Sequence, residues 1–294
     1  MNYDLIVLGG GPAGLAAAVA ARGRGKSALV IGNRWQESPL AKAERIDNYL
    51  GFAGLSGYAL LQAFQRHAED AGVEFVTGRA SSLMAFGGFA VTVGSDVYQG
   101  GALVLAPGVV RQAKFPGEQE FLGRGVSYCA TCDGMLYRGR DVVVVGRTKD
   151  APEEAAYLKS IGCNVTYTAP KKPGGLPDGI PFIAAGKVEV RGEGTVRAAV
   201  LDGTEIPCAG MFILRGALAP ADLLPQLETD GGYIRVARDM STSVAGVYAC
   251  GDCTGAPLQI AKAVGEGHVA GLSACEYIDR QTAQAQHKLL RKGE

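Results

Sequence analysis

Two cysteines two residues apart, Cys129 and Cys132, stand in the stretch SYCATCDG, with the carboxylate of Asp133 directly behind them. The thiolate is the species that attacks a disulfide, and a Cys-x-x-Cys pair closes a loop small enough for either sulfur to resolve a mixed disulfide on the other. The spacing therefore suits exchange of electrons between a dithiol and a disulfide. Zinc competes for the same spacing, and a second pair, Cys250 and Cys253, lies far along the chain. Compact zinc ribbons keep their pairs about 15–20 residues apart, and the long gap here favours redox chemistry. Cys250 and Cys253 flank Gly251-Asp252 and read as the lining of a pocket, whereas Cys163, Cys208 and Cys275 read as small core residues.

A second chemistry-bearing stretch opens the chain. The apolar run Tyr3 to Leu8 leads into Gly9-Gly10-Gly11-Pro12-Ala13-Gly14 and then into an alanine-rich helical segment ending near Arg22 to Gly25. In such a strand, glycine turn and helix, Gly9 permits the turn, Gly11 lets the backbone approach a pyrophosphate, and Gly14 lets helix and strand pack closely, with the phosphates at the helix N-terminus. The next strand, Ser27 to Ile31, ends in Gly32-Asn33 where an acid would meet the adenosine ribose, which leaves Asn33 as the candidate contact. Near the other end, GVYACGDCTGAPLQIAKAVGEG gives a strand, then Gly251-Asp252, then a helix from about Leu258. A carboxylate at that strand end can bind a polyol hydroxyl, and the helix start offers free N–H groups and positive dipole to a developing anion.

These stretches need a scaffold with more than one core. At 294 residues the chain is long for one ordinary domain and short for three. Its 43 glycines are about twice the usual share, in keeping with many tight turns or close ligand approach. The 29 basic and 29 acidic side chains cancel, so no whole-molecule field draws in nucleic acid or an anionic membrane. The first residues carry Asp4 and no Lys or Arg, unlike a secretory signal, and no apolar run reaches the roughly 18 residues of a membrane span. Seven cysteines, an odd number without the density of a secreted disulfide scaffold, fit reduced thiols in a cytoplasmic protein.

Taken in order, GGGPAG at the start, RIDNYLGF at 45–52, CATCDG at 129–134 and GVYACGDCTG at 246–255 make the chain resemble the low-molecular-weight thioredoxin reductase family over residues 1 to about 278. The resemblance implies an α/β fold of two Rossmann-like three-layer domains. The FAD domain would be discontinuous, residues 1–112 and 243–294, and a second module resembling an NAD(P)H domain, residues 113–242, would be inserted in it and carry CATC. LAPGVVRQ and RDMSTSV would hold the crossovers. By the same resemblance Gly9, Gly11, Pro12, Ala13 and Gly14 serve the FAD pyrophosphate, Asn33 and Gly108 belong to the cofactor site, and Asn48 approaches the flavin. Gly251 and Asp252 would hold the ribityl chain, and Gln259, Ile260 and Ala261 would lie by the flavin pyrimidine. Read without the resemblance, Asn48 is also an ordinary turn residue in DNYLG. Cys132 matches the cysteine nearer the flavin ring and Cys129 the one that attacks the protein substrate. Asp133 would give and take the proton, a task suited to a carboxyl whose pKa is raised by partial burial. Thioredoxin or a similar protein is the implied partner, a homodimer the implied assembly, and no metal site is expected.

The inserted module departs from the NADPH-using pattern. After the strand DVVVVG, Gly146 and Ala151 remain, but Thr148 occupies the second glycine position, where a side chain obstructs a pyrophosphate. Asp150 with Glu153 reads as a capping box, which would place a carboxylate where phosphate belongs. NADPH-using members carry a His-Arg-Arg segment after the next strand; here NVTYT is followed by APKKPGG, with Lys171 and Lys172 lacking the bidentate fork of arginine. The connection through KKPGGLPDGIPF also reads as one whose helix has been trimmed. Some relatives lacking these motifs use ferredoxin, so the expected donor is a carrier such as ferredoxin. A conventional NADPH enzyme with a degenerate loop and a redox-sensing flavoprotein without turnover are the alternatives.

Overall fold

The computed structural model describes residues 2–85, 87–109, 113–215 and 220–290. The chain divides into two compact units, Met1–Val110 with Ala217–Glu294, and Arg111–Gly216 between them.

In the flanking unit, β1 (Asn2–Leu8), α1 (Pro12–Gly23), β2 (Ala28–Gly32), α2 (Gly57–Asp70), β3 (Glu74–Thr77), β4 (Ala80–Ala85), β5 (Phe89–Val93) and β6 (Asp96–Leu105) follow one another. A returning strand, Val247–Ala249, and a helix, Ile260–Leu290, complete it. Strand order is β3-β2-β1-β6-β5-β4, with the returning strand beside the C-terminal part of β6. The pairs β3–β2, β2–β1, β1–β6 and β6 with Val247–Ala249 are parallel. Strands covered on both faces must be apolar throughout, and Leu5 to Leu8, Ala28 to Ile31 and Ala102 to Leu105 are buried without a break. One face packs on α1 and the long helix, the other on β4, β5 and Leu224, Leu227 and Ile234. Leu224, Leu227 and Ile234 thus belong to the core of the flanking unit, ahead of RDMSTSV in the chain. The last three residues of LAPGVVRQ lie outside the described set.

The inserted unit runs through β7 (Val126–Ser127), α3 (Ala130–Asp133), β8 (Asp141–Gly146), α4 (Ala151–Ser160), β9 (Asn164–Ala169) and β10 (Phe182–Ala184). It continues with β11 (Val188–Glu193), β12 (Thr195–Leu201), β13 (Thr204–Pro207) and β14 (Gly210–Leu214). A parallel sheet, β10-β9-β8-β14-β7, is joined by an antiparallel meander, β11-β12-β13. Parallel neighbours are usually linked through a helix, yet residues 170–181 pass from β9 to β10 in turns alone, as the shortened connection predicts. Among the described residues no helix is long and apolar enough to cross a membrane.

Candidate active site

β7 delivers the chain to the dithiol. Cys129 has extended backbone and caps α3, and Cys129 and Cys132 are joined in a disulfide with Cα atoms 5.3 Å apart. The Cys132 N–H donates to Cys129 Sγ at 3.1 Å, and Thr131 Oγ1 lies 3.4 Å from the same sulfur. Both contacts favour negative charge on that sulfur once the bond opens. Cys129 is 3% exposed, whereas Cys132 lies on the surface and Asp133 is half-buried. α3 is seated closely on α4: a Cβ on Gly134 would stand 2.8 Å from Leu158 and 2.9 Å from Ile161.

Two buried polar groups brace this turn that residue spacing did not single out. The Ser127 hydroxyl donates to Asp133 Oδ2 at 2.6 Å, and the Cys129 N–H donates to Ser127 Oγ at 3.1 Å. The Tyr128 hydroxyl donates to Glu118 Oε1 at 2.8 Å, and Glu118 Oε2 accepts from the Phe115 N–H at 2.8 Å and from Arg215. Glu118 and Arg215 are buried, so each neutralises a charge that would otherwise be costly. A serine two residues before a cysteine and a distant glutamate carry no pattern; their parts follow from where β7 and β14 end.

In the flanking unit the expected cofactor residues gather at one edge, because the parallel strands β1, β2, β6 and Val247–Ala249 all end there. Ligands of open parallel sheets bind at that edge. Gly9 has φ +122°, and a Cβ on it would meet the Ala106 carbonyl oxygen at 2.1 Å; one on Gly14 would meet the Gly9 carbonyl oxygen at 1.9 Å. At Gly11, by contrast, a Cβ would meet nothing within 4 Å, and no side chain caps α1. The first-turn N–H of Ala13 and Gly14, behind Pro12, thus face open space suited to a pyrophosphate. Asn33 is exposed just past β2, and Gly108, φ +70°, follows β6. A Cβ on Gly251 would come within 2.8 Å of Ala13 Cβ, so the returning loop closes on the start of α1.

Asn48 Nδ2 donates to Gln259 Oε1 at 2.7 Å, joining two expected flavin contacts that are 211 residues apart in sequence. Ile260 and Ala261 begin the long helix beside them. Lys262 donates to the carbonyl oxygens of Gly251 and Gly255, each at 2.8 Å, and pairs with Glu266, which in turn accepts from the Gly251 N–H at 2.9 Å. The segment carrying Asp252 is therefore fixed to the helix. Among the described residues nothing donates to the Asp252 carboxylate, and burial pushes its pKa up, with Glu266 adding and Lys262 opposing. A half-buried carboxylate without a donor, an open glycine cradle and an uncapped helix start fit FAD. Cys250 and Cys253 are buried; burial pushes both thiols up, Cys253 to about 12, so both remain protonated.

The second glycine loop differs from the first. At Gly146 the Tyr167 hydroxyl lies 1.7 Å from where a Cβ would stand, so only glycine fits there. Thr148 Oγ1 is shielded from solvent without a hydrogen-bond partner among the described residues. The Arg147 guanidinium stacks on Phe115 with Arg215 on the same ring, and burial together with Arg215 lowers its pKa. Asp150 does not form the expected capping box. Its backbone is helical, φ −86° and ψ −10°, and its side chain makes no cap bond, although its carbonyl accepts from Glu153 N–H at 3.0 Å. Negative charge still stands at the helix start, in Glu153 and Glu154, the latter accepting from the Ala130 N–H at 3.4 Å. Lys171 and Lys172 are exposed beyond β9.

A sequence profile described as pyridine nucleotide-disulphide oxidoreductase matches residues 3–171 and 177–267. A thioredoxin reductase of Aquifex aeolicus is 34% identical over 274 residues, covering 85% of each chain. The crystal structure of a ferredoxin-flavin thioredoxin reductase from Clostridium acetobutylicum superimposes with a TM-score of 0.85 at 38% identity, covering 95% of this chain and 99% of the other. A thioredoxin reductase from Gloeobacter violaceus gives 0.73 at 32% identity, with 95% of each chain covered.

Proposed function

Because this chain belongs to the pyridine nucleotide-disulphide oxidoreductase family and is an FAD-dependent oxidoreductase, we propose that it reduces the disulfide of thioredoxin or a thioredoxin-like protein. The observation that carries this reading is the Cys129–Cys132 disulfide with an acid, Asp133, held beside it by Ser127. Bound FAD supplies reducing equivalents to that disulfide and can collect them from its donor one at a time. The carboxyl edge around Gly9, Gly11, Pro12, Ala13, Gly14, Asn33 and Gly108 holds its phosphates and ribose. Asp252 takes a ribityl hydroxyl, and Asn48, Gln259, Ile260 and Ala261 meet the ring.

In the reduced protein the Cys129 thiolate attacks the partner disulfide, forming a Cys129–partner bond. The partner's second sulfur leaves with the electron pair and takes the proton of Asp133. Cys132 then gives its proton to the Asp133 carboxylate and attacks Cys129, which restores the disulfide and releases the partner as one thiol and one thiolate, the latter taking its proton from water. Cys129 has to become more accessible than its 3% exposure for the first step.

The donor is a one-electron carrier such as ferredoxin, supported by Thr148 in the second glycine position and by the acidic start of α4. A plant-type ferredoxin near about −400 mV against thioredoxin near about −270 mV leaves roughly 6 kcal/mol for two electrons. Residues 138–172 hold seven Lys or Arg against four Asp or Glu, a surface that an acidic carrier would meet favourably. The chain works as a cytoplasmic homodimer in this reading.

Purified holoenzyme mixed with thioredoxin should yield thiols with photoreduced ferredoxin and none with NADPH or NADH. Rapid bleaching of the flavin by NADPH would overturn the donor, and absence of thiols with every donor would favour a sensing flavoprotein. Cys132→Ser should keep FAD and lose disulfide reduction.

A further inference from the structure

Ser127 has one hydroxyl hydrogen and two acceptors in reach. Its Oγ lies 2.6 Å from Asp133 Oδ2 and 3.2 Å from the Cys129 carbonyl oxygen, and it accepts the Cys129 N–H at 3.1 Å. At 4% exposure the side chain is closed off from bulk water. A hydroxyl can donate to one strong acceptor at a time and turns to suit its surroundings. An ionised carboxylate takes that hydrogen in a short, charge-assisted bond. A protonated carboxyl is the weaker acceptor, and the Cys129 carbonyl then competes for it.

We propose that Ser127 is a positioning residue for dithiol exchange, whose hydroxyl follows the protonation state of Asp133 by turning between Asp133 Oδ2 and the Cys129 carbonyl. The inference rests on the reading of Cys129, Cys132 and Asp133 given above. When Asp133 protonates the departing sulfur, its O–H bond breaks, an S–H bond forms, and the carboxylate left behind receives the Ser127 hydrogen. When Cys132 returns a proton to Asp133, the hydrogen swings back to the carbonyl. No electrons move in either turn, and no further reactant is needed. The device lowers the cost of leaving a half-buried carboxylate ionised next to sulfurs that carry negative charge in turn.

Other ionisable groups surround the turn. Glu154 reaches it from α4, with its carboxylate on the Ala130 N–H, and the Tyr157 ring lies against Gly134. Tyr137 follows in the 3₁₀ turn Gly134–Tyr137, where the Asp133 charge helps to raise its pKa behind the larger effect of burial. The Cys163 thiol donates to the Gly134 carbonyl at 3.6 Å. Glu154 is the acid most easily mistaken for Asp133, so the test must identify the carboxyl.

Infrared difference titration of the oxidised holoenzyme provides that identification, because Asp133→Asn removes the Asp133 carboxyl band. A hydrogen bond to a carboxylate shifts its stretching band. Ser127→Ala should therefore shift the Asp133 carboxylate band, and Ser127→Thr, which keeps a hydroxyl, should leave it in place. An unshifted band in Ser127→Ala with native FAD absorbance, or a shift in Ser127→Thr as large as in Ser127→Ala, overturns the inference. Should Ser127→Ala fail to fold, the unmutated protein still decides. With ¹³C at cysteine carbonyls, the Cys129 signal should change together with the Asp133 carboxyl band, and a signal blind to it overturns the turning hydroxyl. Disulfide reduction surviving in Cys132→Ser would defeat the underlying reading instead, whatever Ser127 does.

Discussion

Asp252 shows how a single side chain can trade stability for binding. Burial raises its pKa, so the folded protein holds the proton more tightly than the unfolded chain does. Stability accordingly falls as pH rises from the unfolded carboxylate value, about 4, through the raised folded value, and the cost is complete at neutral pH. Asp252→Asn should therefore raise the melting temperature of the apoprotein at pH 7, have little effect below about pH 4, and weaken FAD binding; calorimetry and a flavin titration measure both. Thiols make a complementary case. Burial pushes Cys208 and Cys253 up to about 12 and raises Cys250 as well, so they stay protonated near neutrality and react slowly. After reduction, alkylation of the native protein at pH 8 should mark Cys129 and Cys132 alone, and a mass-spectrometric label on Cys250 or Cys253 would remove them from the packing role. The Cys129–Cys132 pairing was legible because residue type and spacing declare it. Ser127 and Glu118 were not, since a serine and a glutamate acquire their partners only through the turn from β7 into α3.

At the scale of elements, the glycine loop separates what folding needs from what the cofactor needs. A Cβ at Gly14 would collide with the Gly9 backbone, whereas one at Gly11 would point into open space. Gly14→Ala should disrupt the β1–α1 unit. Gly11→Ala should melt as the parent apoprotein does while losing at least about tenfold in FAD affinity, about 1.4 kcal/mol; thermal scans beside flavin titrations distinguish the two. This division could be read from the strand, glycine turn and helix pattern. The seam between α1 and the long helix could not. A Cβ on Gly267 would meet the Ala13 carbonyl oxygen at 2.1 Å and one on Gly271 that of Ala17 at 2.4 Å. Their necessity depends on contacts with a helix far away in sequence, at Ala13 and Ala17. Asp150 misled for a local reason: a capping side chain needs an extended backbone to reach back to the helix N–H groups, and Asp150 has already turned helical.

For the whole molecule, the packing of the segment before RDMSTSV was not legible. Leu224, Leu227 and Ile234 sit in elements too short to show a period, yet they are buried with β1 and β6 in the core of the flanking unit. Recognition of a protein partner has a visible foothold beside the dithiol, where Met135 is 55% and Leu136 71% exposed. Apolar anchors next to a reactive group gain from desolvation by a protein partner and little from a small molecule. Leu136→Asp should raise KM for the protein disulfide by about tenfold, about 1.4 kcal/mol, and leave reduction of a small aromatic disulfide unchanged. The interrupted sheet also dictates an order of biogenesis. The strand Val247–Ala249 and the helix bearing Gly267 and Gly271 leave the ribosome after the inserted unit has all of its residues. Folding proceeds as segments emerge, so the dithiol unit can settle first while the flanking unit waits for its returning strand. Flavin capture has to follow the emergence of that strand, and a nascent chain stalled before Gly251 would carry a folded dithiol unit beside an unfinished flavin domain.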